Sequence, residues 1–259
     1  MGTAPLDDVT AHLDRLLRTR EIPDYGGALN GLQIQNAGTV RKLAAAVDLS
    51  TRAIEGAVRD GADLLLVHHG AFWGGAQPIR GPLYDRLRLL FSHDIAVYSS
   101  HLPLDLHPEL GNNVLLARAL GLEPTGGFAR YQTITIGVRG ECDLPTERLV
   151  ERATAFAHTH GGSARVSPHV RGHHTRRWAI CTGAGASSET IREAVAEGID
   201  TLIAGEGPHH TAVEASEAGV VIIYAGHYAT ETLGVQALGE QVASEFELPW
   251  TFIEAPTGL

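Results

Sequence analysis

An α/β fold made of two similar units, with a metal site between them, is predicted by three features of this sequence. Short apolar runs alternate with amphipathic stretches from end to end. One run, Leu64 to Gly75 (LLLVHHGAFWGG), stops abruptly at two histidines and a glycine-rich turn, and the stretch Ile54 to Gly70 recurs without a gap as Ile191 to Gly207. The histidine-ended run reads as a strand buried on both faces of a parallel sheet, the kind of sheet in which functional groups gather where strands end. Side chains next to each other on a strand point to opposite faces. His68 and His69 therefore share one site only if the strand is ending there, as Gly70, Gly74 and Gly75 imply.

In order, Leu6, Val9, Leu13, Leu16 and Leu17 have the spacing of an amphipathic first helix. Asn30-Gly31-Leu32-Gln33 suggests a tight loop before a strand at Leu43 to Val47. Asp48 or Ser50 caps the next helix, which runs to about Asp60 and passes through Gly61 into the histidine strand. A loop at Pro78 to Pro82, a helix through Leu83 to Phe91 and a strand Ile95 to Tyr98 follow, ending at His101-Leu-Pro-Leu-Asp105. The helix Asn112 to Leu120 closes at Gly121, and Pro124 to Gly127 reads as the linker between units 1–124 and 125–259.

The second half repeats the plan. Strands are expected at Thr133 to Val138, Ala164 to Val166, Trp178 to Cys181, Thr201 to Ala204 and Val220 to Tyr224. Helices are expected at Pro145 to Thr159, Ile191 to Glu197, Pro208 to Ala218 and Thr230 to Phe246.

Composition narrows the function. A formal net charge of -10 argues against a broad basic surface for duplex nucleic acid. No apolar run approaches the roughly 20 residues of a membrane span, and no secretory signal is visible. Two cysteines, Cys142 and Cys181, fit a reducing cytoplasm and exclude a four-cysteine zinc site within one chain. Fourteen histidines is a high count, and histidine is the commonest metal ligand.

The repeat locates the chemistry. Ile54/Ile191, Ala57/Ala194, Val58/Val195, Gly61/Gly198, Asp63/Asp200, Leu65/Leu202 and Gly70/Gly207 are identical pairs, and a second match aligns Tyr98 with Tyr224, His101 with His227 and Asp105 with Glu231. Packing about a pseudo-twofold would bring His68, His69, His101, Asp105, Glu206, His227 and Glu231 together. His227 and Glu231, four apart at a helix start, face one way and form a chelating pair. Three or four imidazoles with two carboxylates exceed one tetrahedral zinc but suit two borderline metals bridged by a carboxylate, for which Glu231 has the reach. His209 and His210 read as outer or surface residues. His12, His93, His107, His158, His160, His169, His173 and His174 read as solvated background.

With these residues in view, the chain resembles the dinuclear-metal-centre hexameric proteins, which are related to NGG-interacting factor and often labelled GTP cyclohydrolase I type 2 homologues. The resemblance covers nearly the whole chain. It is carried by Asn30 to Gln33, Leu64 to Trp73, His101 to Asn113, Gly183 to Ser187, Gly205-Glu206 and Gly226 to Glu231.

The resemblance implies a two-domain α/β subunit, a toroidal homohexamer, and two divalent metals (zinc, iron or manganese) on His68, His69, Asp105, His227 and Glu231. His101 would be an extra ligand or a proton carrier, giving His101 and Glu231 as the candidate catalytic residues. Two departures stand out: Gly70 follows His69 where proline is usual, and Glu206 stands where aspartate is common. Paired ions acidify water and clamp oxyanions, so hydrolysis is the leading reaction class, with a purine nucleotide opened in the manner of a GTP cyclohydrolase. The alternatives are a metal-dependent phosphoesterase and a metal-binding toroidal scaffold or metallochaperone.

Overall fold

The structure, a computed structural model, describes residues 2–259. The chain is mixed α/β and forms two compact units, Met1–His107 with Gly234–Ala255 and Pro108–Leu233 with Pro256–Leu259.

In the first unit the strands Leu43–Asp48, Leu64–His69 and Ala96–Ser99 lie parallel in that spatial order. Their residues are apolar on both faces because both faces are covered. On one side Ala44, Ala46, Leu65, Val67 and Val97 meet Ile54 and Ala57 of the helix Thr51–Asp60 and Leu87 and Leu90 of the helix Pro82–Ser92. Ser50 caps the first of these helices by accepting from the Ala53 N–H at 3.1 Å, and Gly61 ends it with φ 66°.

Two strands of this sheet lie outside the sequence-based reading. Gly31–Ile34 pairs antiparallel with Ala96–Ser99, and Trp250–Phe252 pairs parallel with Leu43–Asp48. Both are too short to show an alternating pattern. The second explains why the C-terminal segment belongs to the first unit and not, as expected from the sequence, with 125–259. From Gly234 the helix Thr232–Phe246 packs Gly239 against Ala45 and Trp250, close enough that a Cβ there would crowd the indole.

The second unit holds six strands in the spatial order Gly126–Tyr131, Ile134–Pro145, His174–Cys181, Thr201–Ala204, Val221–Tyr224 and Arg165–Val166. The first two form a hairpin, so the expected linker at 124–127 is already strand from Gly126. Its turn uses Gln132 at φ 49° instead of the Asn-Gly or Asp-Gly pair that marks such turns in a sequence. Residues of His174–Cys181 alternate between two cores, Trp178 and Ile180 facing one, Ala179 and Cys181 the other. Among the described residues no helix is long and apolar enough to cross a membrane.

The repeat is visible in the hydrogen bonding. Asp63 accepts from the N–H groups of Arg41 and Lys42 (2.8 and 3.2 Å), and Asp200 accepts from those of Arg176 and Arg177 (both 2.9 Å). Each aspartate therefore pins the neighbouring strand just before its parallel pairing begins, at Leu43 in the first unit and at Trp178 in the second. The second sequence match is one residue out of register. Leu66 faces Tyr98, but its equivalent Ile203 faces Ile223, not Tyr224. His101 consequently precedes the turn of helix Leu102–Asp105, whereas His227 is the first residue of the helix His227–Thr230.

Burial works to raise the Asp63 carboxyl, but donation from the Arg41 side chain and the two N–H groups holds it below its ordinary value of 3.8. A carboxyl depressed on folding contributes its stability in full above the unfolded value and loses it as pH falls through the folded value. Asp63→Ala should therefore cost about 1–3 kcal/mol at neutral pH, measured by urea unfolding. The gap to the wild type should shrink below pH about 4. A gap that does not change on acidification would contradict this role.

Candidate metal centre

In the first unit the sheet delivers three imidazoles to one place. His68 is fully buried, and its Nδ1 lies 2.9 Å from the Ser100 carbonyl oxygen. A carbonyl only accepts, so Nδ1 carries the proton and Nε2 the lone pair, 3.6 Å from Asp105 Oδ2. His69 is the last residue of its strand, directly across from Asp48, and its Nδ1 donates to Asp48 Oδ1 at 2.9 Å. His101 Nδ1 donates to Asp24 Oδ1 at 2.8 Å. One ligand nitrogen from each of the three rings lies within 4.8 Å of the others. The adjacent pair can converge because the strand ends there: the rings of His68 and His69 are 4.7 Å apart, centroid to centroid.

The loop before the sheet supports this cluster. Asp24 Oδ2 accepts from the Leu102 N–H and from the Asn30 side-chain amide, while Asn30 Oδ1 accepts from the His101 N–H at 2.7 Å. Burial works to raise the Asp24 carboxyl, and donation and charge from His101, with the Asn30 amide and the Tyr25 N–H, outweigh it and hold it low. Gln33 Oε1 accepts from the Ala71 N–H, and its amide donates to the Leu29 carbonyl at 2.8 Å. Gly70 leaves the space this amide occupies, since a Cβ there would run into it. Asn30 and Gln33 thus tie the 24–33 segment to the ends of both histidine-bearing strands.

In the second unit, His227 Nδ1 donates to Glu206 Oε1 at 2.7 Å, and its Nε2 lies 3.2 Å from Glu231 Oε2. Burial works to lower the pKa of His227, but Glu231 and then Glu206 outweigh it and push it up to about 9. Gly183, at φ 58°, lies so close to Glu231 and His227 that a Cβ would collide with the carboxylate. Its N–H donates to Thr230 Oγ1 and its carbonyl accepts from the Glu206 N–H. The Gly-Ala-Gly-Ala turn is therefore a wall of this pocket.

The first unit thus gathers His68, His69, His101 and Asp105, and the second gathers Glu206, His227 and Glu231. In all four imidazoles Nδ1 is held by an oxygen acceptor, which leaves Nε2 as the atom that could coordinate, as in metal-ligating histidines, whose second N–H is fixed by a carboxylate or carbonyl. The chemistry of this donor set fits borderline divalent metals. Sequence reasoning leaves the role of Glu206 open and misses Asp24 and Asp48. Asp48 carried a signal, since it stands where the neighbouring parallel strand ends; Asp24, in a loop far along the chain from His101, carried none.

Residues 4–257 match the family described as Duf34/NIF3 (NGG1p interacting factor 3). The chain belongs to this family. It is 42% identical over 266 residues to a Deinococcus radiodurans protein named GTP cyclohydrolase 1 type 2 homolog, with 100% of this chain and 96% of the relative covered. An Escherichia coli protein of the same name is 38% identical over 245 residues, covering 94% of this chain and 95% of its own. Among solved structures, TTHA1606 from Thermus thermophilus superposes with a TM-score of 0.85 at 35% identity, covering 99% of this chain and 100% of that one. Reduced HcgD from Methanocaldococcus jannaschii gives 0.82 at 25% identity, covering 98% and 99%.

Proposed function

We propose that His68, His69, Asp105, His227 and Glu231 together hold two divalent metal ions, and that the chain is a metal-dependent hydrolase acting on a purine nucleotide. The observation that carries the reading is the common anchoring of the imidazoles, Nδ1 on an oxygen and Nε2 presented, in both units. When bound, such a pair of ions supplies Lewis acidity and lowers the pKa of water toward neutrality. The protein's own part is positioning. Ser100, Asp48 and Glu206 fix the tautomers of the ligand histidines, and Glu231, with an oxygen to offer each ion, is the bridging candidate. Asp24 sets His101 with its proton on Nδ1, leaving Nε2 able to take a proton during turnover. The nucleotide reading is supported by the name of the Deinococcus radiodurans and Escherichia coli relatives.

The test is metal analysis of protein prepared without added metal, followed by a hydrolysis screen over GTP and other nucleotides, phosphomonoesters and phosphodiesters with zinc, iron and manganese. Ring opening of GTP by a defined metal form supports the proposal. Phosphoester cleavage alone reassigns the substrate, and metal uptake without any turnover leaves a scaffold or metallochaperone. A metal-loaded structure with the side chains of His69 and His227 more than about 10 Å apart would exclude a shared centre, since imidazole nitrogens sit about 2 Å from their ion.

We further propose that the chain closes into a ring, a hexamer as in the dinuclear family it resembles. Light scattering should give a single species of six chains, and a monomer at micromolar concentration would overturn this.

A further inference from the structure

The loop at 167–173 repeats, away from the residues described above, the feature that marks the metal histidines. His169 Nδ1 lies 3.0 Å from the Ser167 carbonyl oxygen, so its proton is on Nδ1 and its lone pair on Nε2. Ser167 is itself locked. It is 2% exposed, and its Oγ accepts from the Ile222 N–H at 2.8 Å.

His173 is fixed by a longer device. Its Nδ1 lies 2.7 Å from Thr146 Oγ1, which lies 2.8 Å from Thr175 Oγ1, which lies 2.8 Å from Thr201 Oγ1, which donates to Asp200 Oδ1 at 2.8 Å. All three threonines are fully buried. An ionised carboxylate only accepts, and each hydroxyl has one proton to give, so the direction of the whole chain is set from its far end. Thr201 gives to Asp200, Thr175 to Thr201, Thr146 to Thr175, and His173 must give its Nδ1 proton to Thr146. The lone pair of His173 is therefore on Nε2.

Both rings line one cleft of about 320 Å³ with Pro168, Val170, Val220 and Val221. Their centroids are 6.4 Å apart and their planes cross at 76°. Two imidazoles bound through Nε2 to one ion place their centroids roughly 5 Å apart at the tetrahedral angle of zinc and roughly 6.5 Å apart when they approach from opposite sides, given nitrogen distances of about 2 Å. At 6.4 Å the two rings must close by about 1 Å to reach the tetrahedral spacing, a movement of the loop that carries them both and whose Gly172 has φ 78°. Glu147 adds an anionic group to the same loop, its carboxylate accepting from the Gly172 N–H.

A solvated surface histidine needs none of this. The buried hydroxyl chain joins neighbouring strands and ends on a ring at the edge of a cleft, the kind of indirect support that metal-ligating histidines receive. We infer that His169 and His173 form a separate mononuclear site for a divalent transition-metal ion of zinc type, with water completing its coordination.

The test is equilibrium dialysis of the full chain, prepared metal-free, against zinc alone, with bound zinc counted by elemental analysis. The His169→Ala/His173→Ala double variant, changed only at the loop, should bind one zinc fewer than the wild type, while His227→Ala should keep that zinc whatever it loses elsewhere. Thr175→Val breaks the hydroxyl chain without changing side-chain volume and should weaken this zinc by about 10-fold to 100-fold. Thr175→Ser, which keeps the chain, should restore it. Equal zinc uptake by the wild type and the double variant would overturn the inference. Should Thr175→Val fail to fold, the comparison with the double variant still decides. Loss of zinc by the double variant with no effect of Thr175→Val would leave the site but remove the relay.

Discussion

Glu231→Gln should lose metal and turnover together while the protein stays folded. Glu231 is 3% exposed and ends the turn that begins at His227, with Oε2 3.2 Å from His227 Nε2. The amide has the same shape, so Gly183, whose lack of a Cβ makes room for the side chain, still accommodates it. What changes is charge and polarity. A carboxylate gives two anionic acceptors, whereas an amide gives one neutral acceptor and a donor, and no arrangement of it presents an oxygen to each of two ions. Losing the Lewis acid removes several kcal/mol of stabilisation of developing charge. At 1.36 kcal/mol per factor of ten, turnover falls roughly 10³-fold or more. Metal content, circular dichroism and hydrolysis of the substrate found in the screen should be measured on one preparation. Full metal with full activity would remove Glu231 from the centre, and an unfolded protein would move its role to stability.

Much of this architecture was legible because the repeat is written in residues with backbone jobs. Gly61 and Gly198 both end helices in the left-handed region, and Asp63 and Asp200 both collect two N–H groups where a parallel pairing is about to begin, so these identities survive wherever the same unit is built. The histidines and carboxylates were legible by type, since few other roles gather so many at strand ends. Alignment by residue type also misled. Tyr98 and Tyr224 match as letters yet sit one position apart in register. Tyr98 is buried, its hydroxyl donating to Asp14, while Tyr224 is half-buried and bonded to Thr211. The short edge strands Gly31–Ile34 and Trp250–Phe252 could not be seen because pairing made them, not periodicity. Asn30 and Gln33 stood out as a motif without a reason. The reason is three-dimensional, two amides joining a loop to strand ends that are distant along the chain.

His101→Ala should keep the metal and slow turnover by roughly 10²-fold to 10⁴-fold, the usual contribution of a positioned proton carrier. Its geometry supports such a role, since Asp24 holds the ring by Nδ1 at 2.8 Å and Asn30 holds its backbone N–H at 2.7 Å, leaving Nε2 beside His68 and His69. The same closeness makes ligation the rival reading, and Asp24→Asn separates the two. The introduced side chain can turn its amide nitrogen toward the ring, and an N–H facing Nδ1 favours the tautomer with its proton on Nε2. A proton carrier in the wrong tautomer loses catalysis with its neighbours' metal intact, a loss that in a catalytic triad amounts to about 10⁴-fold. A ligand in the wrong tautomer has no lone pair to give, so metal content falls as well. Retained metal with slowed turnover in both variants assigns proton transfer to His101. Metal loss in both makes it a ligand. Full metal and full activity in His101→Ala would reduce it to packing against Trp73, whose ring centroid is 4.8 Å away.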